Sequence, residues 1–265
     1  MPDVRRLALW QDTIQTEVDV RGSGLPLVYL HGPWGLDADA AFVQSLAETS
    51  TVYAPRHPGT TPGDPAAIYQ LTSLHDLVVY YAELLDRLEL SSAPLVGHSV
   101  GGMLALEIAA AVCTRPTRLV LIDAVGLWRD DAPVRNWMIL PEAERLATLF
   151  ADPDGDAARR FAALPEDSGA RAEAQAAFIW AQACTGKFVW PLPDKGLKKR
   201  IHHVGAPTLI VWGTHDRIVA PIYATEFAGR LAHARVELVE GAGHLPHLEQ
   251  PESVAALVRA FLTEG

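Results

Sequence analysis

Short apolar runs and amphipathic stretches alternate along most of the chain. The apolar runs occupy residues 25–30, 51–54, 93–96, 118–122, 208–212 and 236–239. Short runs of this kind are typical of strands that are buried on both faces of a parallel sheet. Residues 38–48 and 74–88 place apolar side chains at helical spacing, and Ser73 with Asp76 forms the pattern of a helix N-cap. The alternation predicts an α/β protein with an open, mostly parallel sheet and helices on both faces.

Two regions depart from this rhythm. Residues 7–20 alternate apolar and polar positions and lead into a turn at residues 21–24. Residues 125–203 are rich in Ala, Asp, Glu and Arg, and they contain no run that predicts a strand. We therefore expect a core formed by residues 1–124 and 204–265, with residues 125–203 inserted above the sheet as a helical cap.

Charge and composition narrow the classes of partner. The 265-residue chain has a formal net charge of −10, which argues against nucleic acid or an anionic membrane as its main partner. Its amino terminus lacks the apolar core of a secretory signal, and no apolar run reaches membrane-spanning length. Cys113 and Cys184 show no metal-ligand spacing. We expect a cytoplasmic protein with reduced thiols and no membrane insertion, and a homo-oligomer is compatible with the sequence.

Ser99 lies where a predicted strand turns into a helix. Residues 97–102 read Gly-His-Ser-Val-Gly-Gly and follow the apolar run that ends at residue 96. A sharp turn of this kind needs residues without bulk around the serine, and Gly97 and Gly101 provide that space. The pattern predicts a nucleophile elbow that presents the Ser99 hydroxyl at the end of a strand.

Two later loops supply the groups that a serine nucleophile requires. A serine hydroxyl reacts poorly at neutral pH unless a neutral imidazole accepts its proton and a carboxylate fixes the tautomer of that imidazole. Asp216 follows the run at residues 208–212, and His244 follows the run at residues 236–239. The order Ser99, Asp216, His244 predicts a catalytic triad above the carboxyl ends of the strands.

These motifs resemble those of the α/β-hydrolase superfamily over nearly the full length of the chain. Residues 97–101 are similar to its nucleophile elbow, and residues 241–251 are similar to its histidine loop. His31-Gly32 resembles its oxyanion loop. The resemblance implies an α/β-hydrolase fold with an inserted helical cap and a triad that needs no metal ion and no organic cofactor. Because some members place the acid one strand earlier, Asp123 is an alternative to Asp216.

The oxyanion loop departs from the family pattern. The Val100 amide is the expected first donor to the oxyanion, and in the family the second amide comes from the residue after His-Gly. That residue here is Pro33, which has no N–H group. We therefore expect the Trp34 amide to donate instead. The alternatives are that a side chain or a water molecule replaces it, or that the second donor is absent and turnover is poor. Trp34 and His98 are also predicted to contact the substrate.

One further histidine has an expected position. His247 lies close to His244 in the sequence, and we expect it on the surface or facing the cap.

The residues favour a carboxylesterase that acts on small esters through an acyl-serine. Haloalkane dehalogenases and epoxide hydrolases of this family carry an aspartate at the elbow, so the serine argues against both activities. Two alternatives stay open at this point. One is a carbon–carbon bond hydrolase of ring-fission products, or a perhydrolase, since the same triad serves these reactions. The other is a small-ligand receptor with weak catalysis, which the missing amide of Pro33 would favour.

Overall fold

The computed structural model of the protein describes residues 3–111, 115–191 and 194–264. The strands are Asp3–Leu9 (β1), Ile14–Arg21 (β2), Leu25–Leu30 (β3), Ser50–Pro55 (β4), Leu95–His98 (β5), Leu119–Ile122 (β6), Thr208–Gly213 (β7) and Ala234–Val239 (β8). The α-helices are Ala40–Leu46 (α1), Leu74–Arg87 (α2), Val100–Ala110 (α3), Glu142–Leu149 (α4), Asp156–Ala162 (α5), Ser168–Val189 (α6), Leu197–Arg200 (α7), Ile222–Ala228 (α8), Pro246–Glu249 (α9) and Pro251–Thr263 (α10).

All eight strands belong to one sheet in the order β1-β2-β4-β3-β5-β6-β7-β8. Strand β2 pairs antiparallel with both of its neighbours, and the other pairs are parallel. The mostly parallel sheet predicted from the alternation of strand and helix is confirmed. Because the central strands run in one direction, the loops that follow β5, β6, β7 and β8 meet at one edge of the sheet.

The central strands contribute alternate side chains to two separate cores. In β6, Leu119 and Leu121 pack in one buried cluster, whereas Val120 and Ile122 pack in the other. Helices cover both faces, which explains why these strands carry consecutive apolar residues rather than apolar residues at alternate positions only.

The amino-terminal region forms a hairpin whose turn the sequence pattern did not locate. Strands β1 and β2 pair from Asp3 opposite Val20 to Leu9 opposite Ile14. The turn between them contains three successive residues with positive φ, Trp10, Gln11 and Asp12. None of these is a glycine, so the usual sequence signal of a left-handed turn is missing.

The capping pattern of α2 is confirmed. The Ser73 hydroxyl accepts a hydrogen bond from the Asp76 amide at 3.0 Å, and the Asp76 carboxylate accepts one from the Ser73 amide at 2.9 Å. The helix begins at Leu74, directly after this box.

The segment between β6 and β7 contains helices α4 to α7 and, in its described residues, no strand. The division into a core of residues 1–124 and 204–265 and a cap of residues 125–203 stays a prediction. Cys113 lies outside the described residues. The Cys184 thiol is buried, and this burial raises its pKa to about 12. None of the helices in the described ranges combines the length and apolarity needed to cross a lipid bilayer.

We expect Gly101→Ala to destabilise the fold although alanine favours helices. A Cβ at this position would lie 2.0 Å from the Leu30 carbonyl oxygen, which is backbone of the neighbouring strand and cannot move aside. The expected loss in the free energy of unfolding is roughly 1 to 3 kcal/mol, measured by urea denaturation. Gly205→Ala is the control, since a Cβ there meets no atom within 4 Å. Equal stability of the two variants would contradict the prediction.

Candidate active site

The turn between β5 and α3 holds Ser99 in a strained backbone conformation. Ser99 has φ 53° and ψ −113°, a backbone conformation that residues other than glycine rarely adopt. Its amide donates to the Ile122 carbonyl at 2.9 Å, and its carbonyl accepts from the Val125 amide at 3.2 Å. A Cβ on Gly97 would lie 2.3 Å from the Gly101 carbonyl oxygen. The turn therefore closes only because position 97 carries no side chain.

Ser99, His244 and Asp216 form a continuous chain of hydrogen bonds. His244 Nε2 lies 3.0 Å from Ser99 Oγ, and His244 Nδ1 lies 2.7 Å from Asp216 Oδ2. A carboxylate can only accept, so Nδ1 carries the hydrogen and Nε2 is free to accept from the Ser99 hydroxyl. The structure thus brings together three residues that are separated by up to 145 positions in the sequence.

The loops after β7 and β8 fix the two partners of Ser99. Asp216 Oδ1 accepts from the Ile218 and Val219 amides at 2.8 and 2.9 Å. The His244 amide donates to the Leu149 carbonyl at 2.8 Å, so the end of α4 holds the histidine loop from above the sheet. Both partners are therefore positioned by backbone hydrogen bonds as well as by each other.

Asp123, the alternative acid, lies behind Asp216 and does not bond His244. Its Oδ1 accepts from the Gly213 amide at 3.0 Å. Burial, followed by the charge of Asp216, raises the pKa of Asp123 well above its usual value. The Nδ1 hydrogen of His244 is directed to Asp216 and not to Asp123, and the role of Asp216 as the acid stays a prediction.

His98 and His247 lie beneath the histidine loop, away from the surface. His98 Nε2 donates to the His244 carbonyl at 2.9 Å, and its ring lies 4.2 Å from the ring of His247. His247 Nε2 lies 3.0 Å from Asp39 Oδ1. The expectation that His247 is on the surface or faces the cap is wrong. The ring is fully buried because Asp39, 208 positions earlier, supplies a buried partner.

His98 is predicted to contact the substrate, and its surroundings show a second, supporting role. Its ring is fully buried, and this burial lowers the pKa of His98 well below the usual value. The ring is therefore neutral and supports the His244 loop. A substrate contact by His98 stays a prediction.

A second group of buried side chains holds the loop that follows β3. The His57 amide donates to His31 Nε2 at 3.2 Å, and His31 Nδ1 donates to the Gly32 carbonyl at 2.7 Å. His57 Nε2 in turn donates to the His31 carbonyl at 2.9 Å, and its Nδ1 accepts from the Tyr81 hydroxyl. Every ring nitrogen is paired when both histidines are neutral. Burial lowers the pKa of His31 to about 4.

Trp34 lies between the core and the segment that follows β6. Its ring centroid is 5.7 Å from that of His244 and 6.2 Å from that of Phe161 in α5, with both pairs edge to face. The side chain is 6% exposed. Trp34 thus lies beside His244, and its contacts with a substrate and with an oxyanion stay predictions.

Within the described part of the chain, two buried clusters have donor atoms close enough together to hold a metal ion. One is Asp39, His98 and His247, and the other is Asp123, Asp216 and His244. In each cluster a direct hydrogen bond joins two of the three side chains, Asp39 to His247 and Asp216 to His244. The expectation that the protein needs no metal ion stays a prediction.

The cavity beside the elbow is small and apolar. Val100 and Leu104 of α3, Cys184 and Phe188 of α6 and His57 are among the residues that line a space of about 10 Å³, which is the size of a single water molecule.

A larger cavity of about 690 Å³ is lined by Leu25, Pro94 and Arg118, among others. These residues lie at the amino ends of β3, β5 and β6. Ser99 follows the carboxyl end of β5, so the larger cavity lies at the edge of the sheet opposite to the one where Ser99, Asp216 and His244 meet.

Comparison with known proteins shows what the chain is similar to. The model of a family described as "Alpha/beta hydrolase family" matches residues 27–257. Among curated proteins, Esterase YbfF of Escherichia coli (strain K12) is 26% identical, covering 90% of this chain and 93% of the esterase. The 2-hydroxymuconate semialdehyde hydrolase of Pseudomonas sp. (strain CF600) is 28% identical, covering 95% of this chain and 92% of that hydrolase.

Solved structures show the same fold at low identity. An esterase from Exiguobacterium antarcticum superposes with a TM-score of 0.78 at 19% identity, covering 98% of this chain and 99% of its own. The meta-cleavage product hydrolase of Pseudomonas fluorescens IP01 gives a TM-score of 0.72 at 20% identity, with 97% of each chain covered. Both likenesses confirm the predicted α/β-hydrolase fold.

We expect His31 to make the protein sensitive to acid. In the unfolded chain His31 takes up a proton below about pH 6.5, whereas in the folded protein it stays neutral down to about pH 4. The unfolded state therefore binds more protons between these values, and this contribution to stability is lost as the pH falls. The expected slope is about 1.4 kcal/mol per pH unit, or about 3 kcal/mol in all.

The measurement compares urea denaturation of the wild type and of His31→Asn from pH 7.5 to pH 4. Asparagine does not titrate, and its amide can still donate to the Gly32 carbonyl. The variant should lose less stability than the wild type over this range. Parallel pH profiles would show that the proton uptake of His31 does not differ between the folded and unfolded states.

Proposed function

The chain belongs to the alpha/beta hydrolase family, and on this premise we propose that it is a serine hydrolase that cleaves small carboxylic esters through an acyl-serine intermediate. The observation that carries the proposal is the chain of hydrogen bonds from Ser99 Oγ to His244 Nε2 at 3.0 Å, and from His244 Nδ1 to Asp216 Oδ2 at 2.7 Å. Each distance is within the range needed for proton transfer or tautomer control.

Each member of the triad has one role in the proposed reaction. Ser99 attacks the ester carbonyl while His244 accepts the hydroxyl proton and then delivers it to the departing alcohol. Water, deprotonated by the same imidazole, releases the acid from Ser99. Asp216 keeps the hydrogen on Nδ1 and stabilises the imidazolium that forms. The amides of Ile218 and Val219 hold the Asp216 carboxylate in place for this role.

The proposed oxyanion donors are the amides of Val100 and Trp34. Val100 is the first residue of α3, so its N–H group is one of those that a helix start leaves without an intrahelical partner. Pro33 has no N–H group, and the hydrogen bonds of His31 and His57 fix the loop that leads to Trp34. A donor of this kind is worth about 3 kcal/mol of transition-state stabilisation.

The surroundings of Ser99 favour a small acyl group. The space beside Val100, the residue that follows Ser99, is about 10 Å³, and Ser99 and His244 are both fully buried. Substrate entry therefore requires displacement of side chains such as Phe188 of α6 or Phe161 of α5. A short acyl chain needs the smallest displacement. Trp34 is proposed to contact this group with its ring, and His98 to support the site from beneath.

A carbon–carbon bond hydrolase is the second candidate, because one relative of similar length carries such a name at 28% identity. The two activities separate in one assay series. Esters of graded acyl length test the first, and loss of colour of a vinylogous ring-fission diketone tests the second. Faster turnover of the diketone would favour the alternative. A receptor with weak catalysis predicts tight binding and negligible turnover of every ester.

The proposal extends to the location and the assembly of the protein. A cytoplasmic location, a small-molecule partner and no organic cofactor fit the acidic sequence and the proposed chemistry. Assembly into a homo-oligomer stays a prediction, and light scattering of the purified protein tests it.

We expect Ser99→Ala to lower turnover of a short p-nitrophenyl ester by at least about 10³-fold, because no other group can form the acyl intermediate. A serine-directed organophosphate should label the wild type and leave this variant unlabelled, as read by intact-mass spectrometry. Ser92→Ala is the control, since this exposed serine lies on the loop before β5. Full turnover by Ser99→Ala would refute the mechanism.

We expect Pro33→Ala to leave kcat within about threefold of the wild type, because the Trp34 amide already donates to the oxyanion. The substitution adds an N–H group at position 33 and changes little else. Pro62→Ala, at an exposed loop proline, reports the general effect of removing a proline. An increase of about tenfold or more in Pro33→Ala alone would show that position 33 provides the better donor, and would overturn the role given to Trp34.

A further inference from the structure

The Asp123 carboxyl group is buried in an arrangement that suits a carboxylic acid better than a carboxylate. The residue is fully buried at the end of β6, and its φ is 44°, which few residues other than glycine adopt. Its amide donates to the Val211 carbonyl at 3.0 Å, and its Oδ1 accepts from the Gly213 amide at 3.0 Å. Among the described residues, no hydrogen-bond donor faces its Oδ2.

The group that Asp123 faces is another carboxyl group. An oxygen of Asp123, an oxygen of Asp216 and a ring nitrogen of His244 all lie within 4.8 Å of one another. Two carboxylates so close together in a buried site repel each other strongly, so that one of them holds a proton at neutral pH.

The hydrogen bonds decide which carboxyl group holds the proton. Asp216 accepts three hydrogen bonds, from the Ile218 amide, the Val219 amide and His244 Nδ1, and each of them stabilises a negative charge. Asp123 accepts one, from Gly213. Burial and the charge of Asp216 both raise the pKa of Asp123. The charge therefore lies on Asp216 and the proton on Asp123.

We propose that Asp123 is a positioning residue whose protonated Oδ2 donates a hydrogen bond to Asp216. The proposal rests on the proposed function, since it assigns a role behind the Ser99–His244–Asp216 chain. The proton gives the unpaired Oδ2 a partner, and it adds a fourth donor to Asp216. With four donors the Asp216 carboxylate is held in one orientation, and it aligns His244 with Ser99.

Titratable groups from three parts of the chain surround or act on Asp123. Asp216 follows β7, His244 follows β8, and Glu249 ends α9. The Glu249 carboxylate accepts from the Gly243 and Ala151 amides, and its charge adds to that of Asp216 in favouring the proton on Asp123. No cation is among the groups that set this preference.

The first experiment compares the pH profiles of kcat for Asp123→Asn and Asp123→Ala. The amide of asparagine reproduces a neutral donor toward Asp216 and an acceptor for Gly213. We expect Asp123→Asn to rescue kcat to within about threefold and to leave the acid limb of the profile unmoved. Asp123→Ala removes the donor, so we expect kcat to fall about tenfold and the acid limb to move to higher pH, since a more concentrated charge on Asp216 favours the imidazolium.

Other positions of the acid limb in these two variants would overturn the proposal. If Asp123 were ionised, Asp123→Asn would remove a negative charge beside His244 and move the acid limb to lower pH. If the donor were unimportant, Asp123→Ala would match Asp123→Asn in its acid limb. A merely structural role would change the stability of the variants and leave the acid limb in place.

A second measurement does not depend on catalysis. Infrared difference spectra at pH 7.5 should show the stretch of a protonated carboxyl group in the wild type that Asp123→Asn lacks. Asp130→Asn, at an exposed carboxylate further along the same segment, should retain this signal. Absence of the signal from the wild type would refute the proposal even if the protein hydrolyses esters. If the signal is present and the protein has no esterase activity, the proposed function is refuted and the proposal that Asp123 is protonated still stands.

Discussion

The contact between the backbone of Gly101 and the Leu30 carbonyl is the constraint on which the rest of the site depends. A Cβ would lie 2.0 Å from that oxygen, and a Cβ on Gly97 would lie 2.3 Å from the Gly101 carbonyl oxygen. These two contacts bring the turn after β5 against the end of β3. Ser99, the Val100 amide and the loop that carries Trp34 consequently share one small volume, which no adjustment of side chains alone could achieve.

Around this turn, buried polar side chains are held as neutral groups with fixed directions. Burial lowers the pKa of His31, His57 and His98, so that each ring keeps one N–H donor and one acceptor. Rings in this state can hold backbone carbonyls in place without adding charge near Asp216. Keeping these rings neutral costs stability in acid. It also means that very few charged groups act on the site.

The sequence predicted the parts of this site that follow from local pattern and strand order. Asp216 and His244 stand directly after apolar runs, and parallel strands place such loops at one edge, so their meeting with Ser99 could be anticipated. The buried position of His247 could not, because its partner Asp39 is 208 positions away and has no distinguishing signal. The hairpin turn at Trp10 was missed since it uses positive φ without glycine. The paths of α4 to α7 depend on tertiary packing that periodicity does not encode.

The segment at the end of α4 is tied directly to the histidine loop. The Leu149 carbonyl accepts from the His244 amide, and Glu249 accepts from both the Ala151 and Gly243 amides. The segment that contains α4 to α7 is therefore not structurally independent of the loop that carries His244. A chimera that exchanges them for those of another hydrolase must reproduce the Leu149 carbonyl and the Ala151 amide, or the graft will misplace the imidazole while it reshapes the pocket.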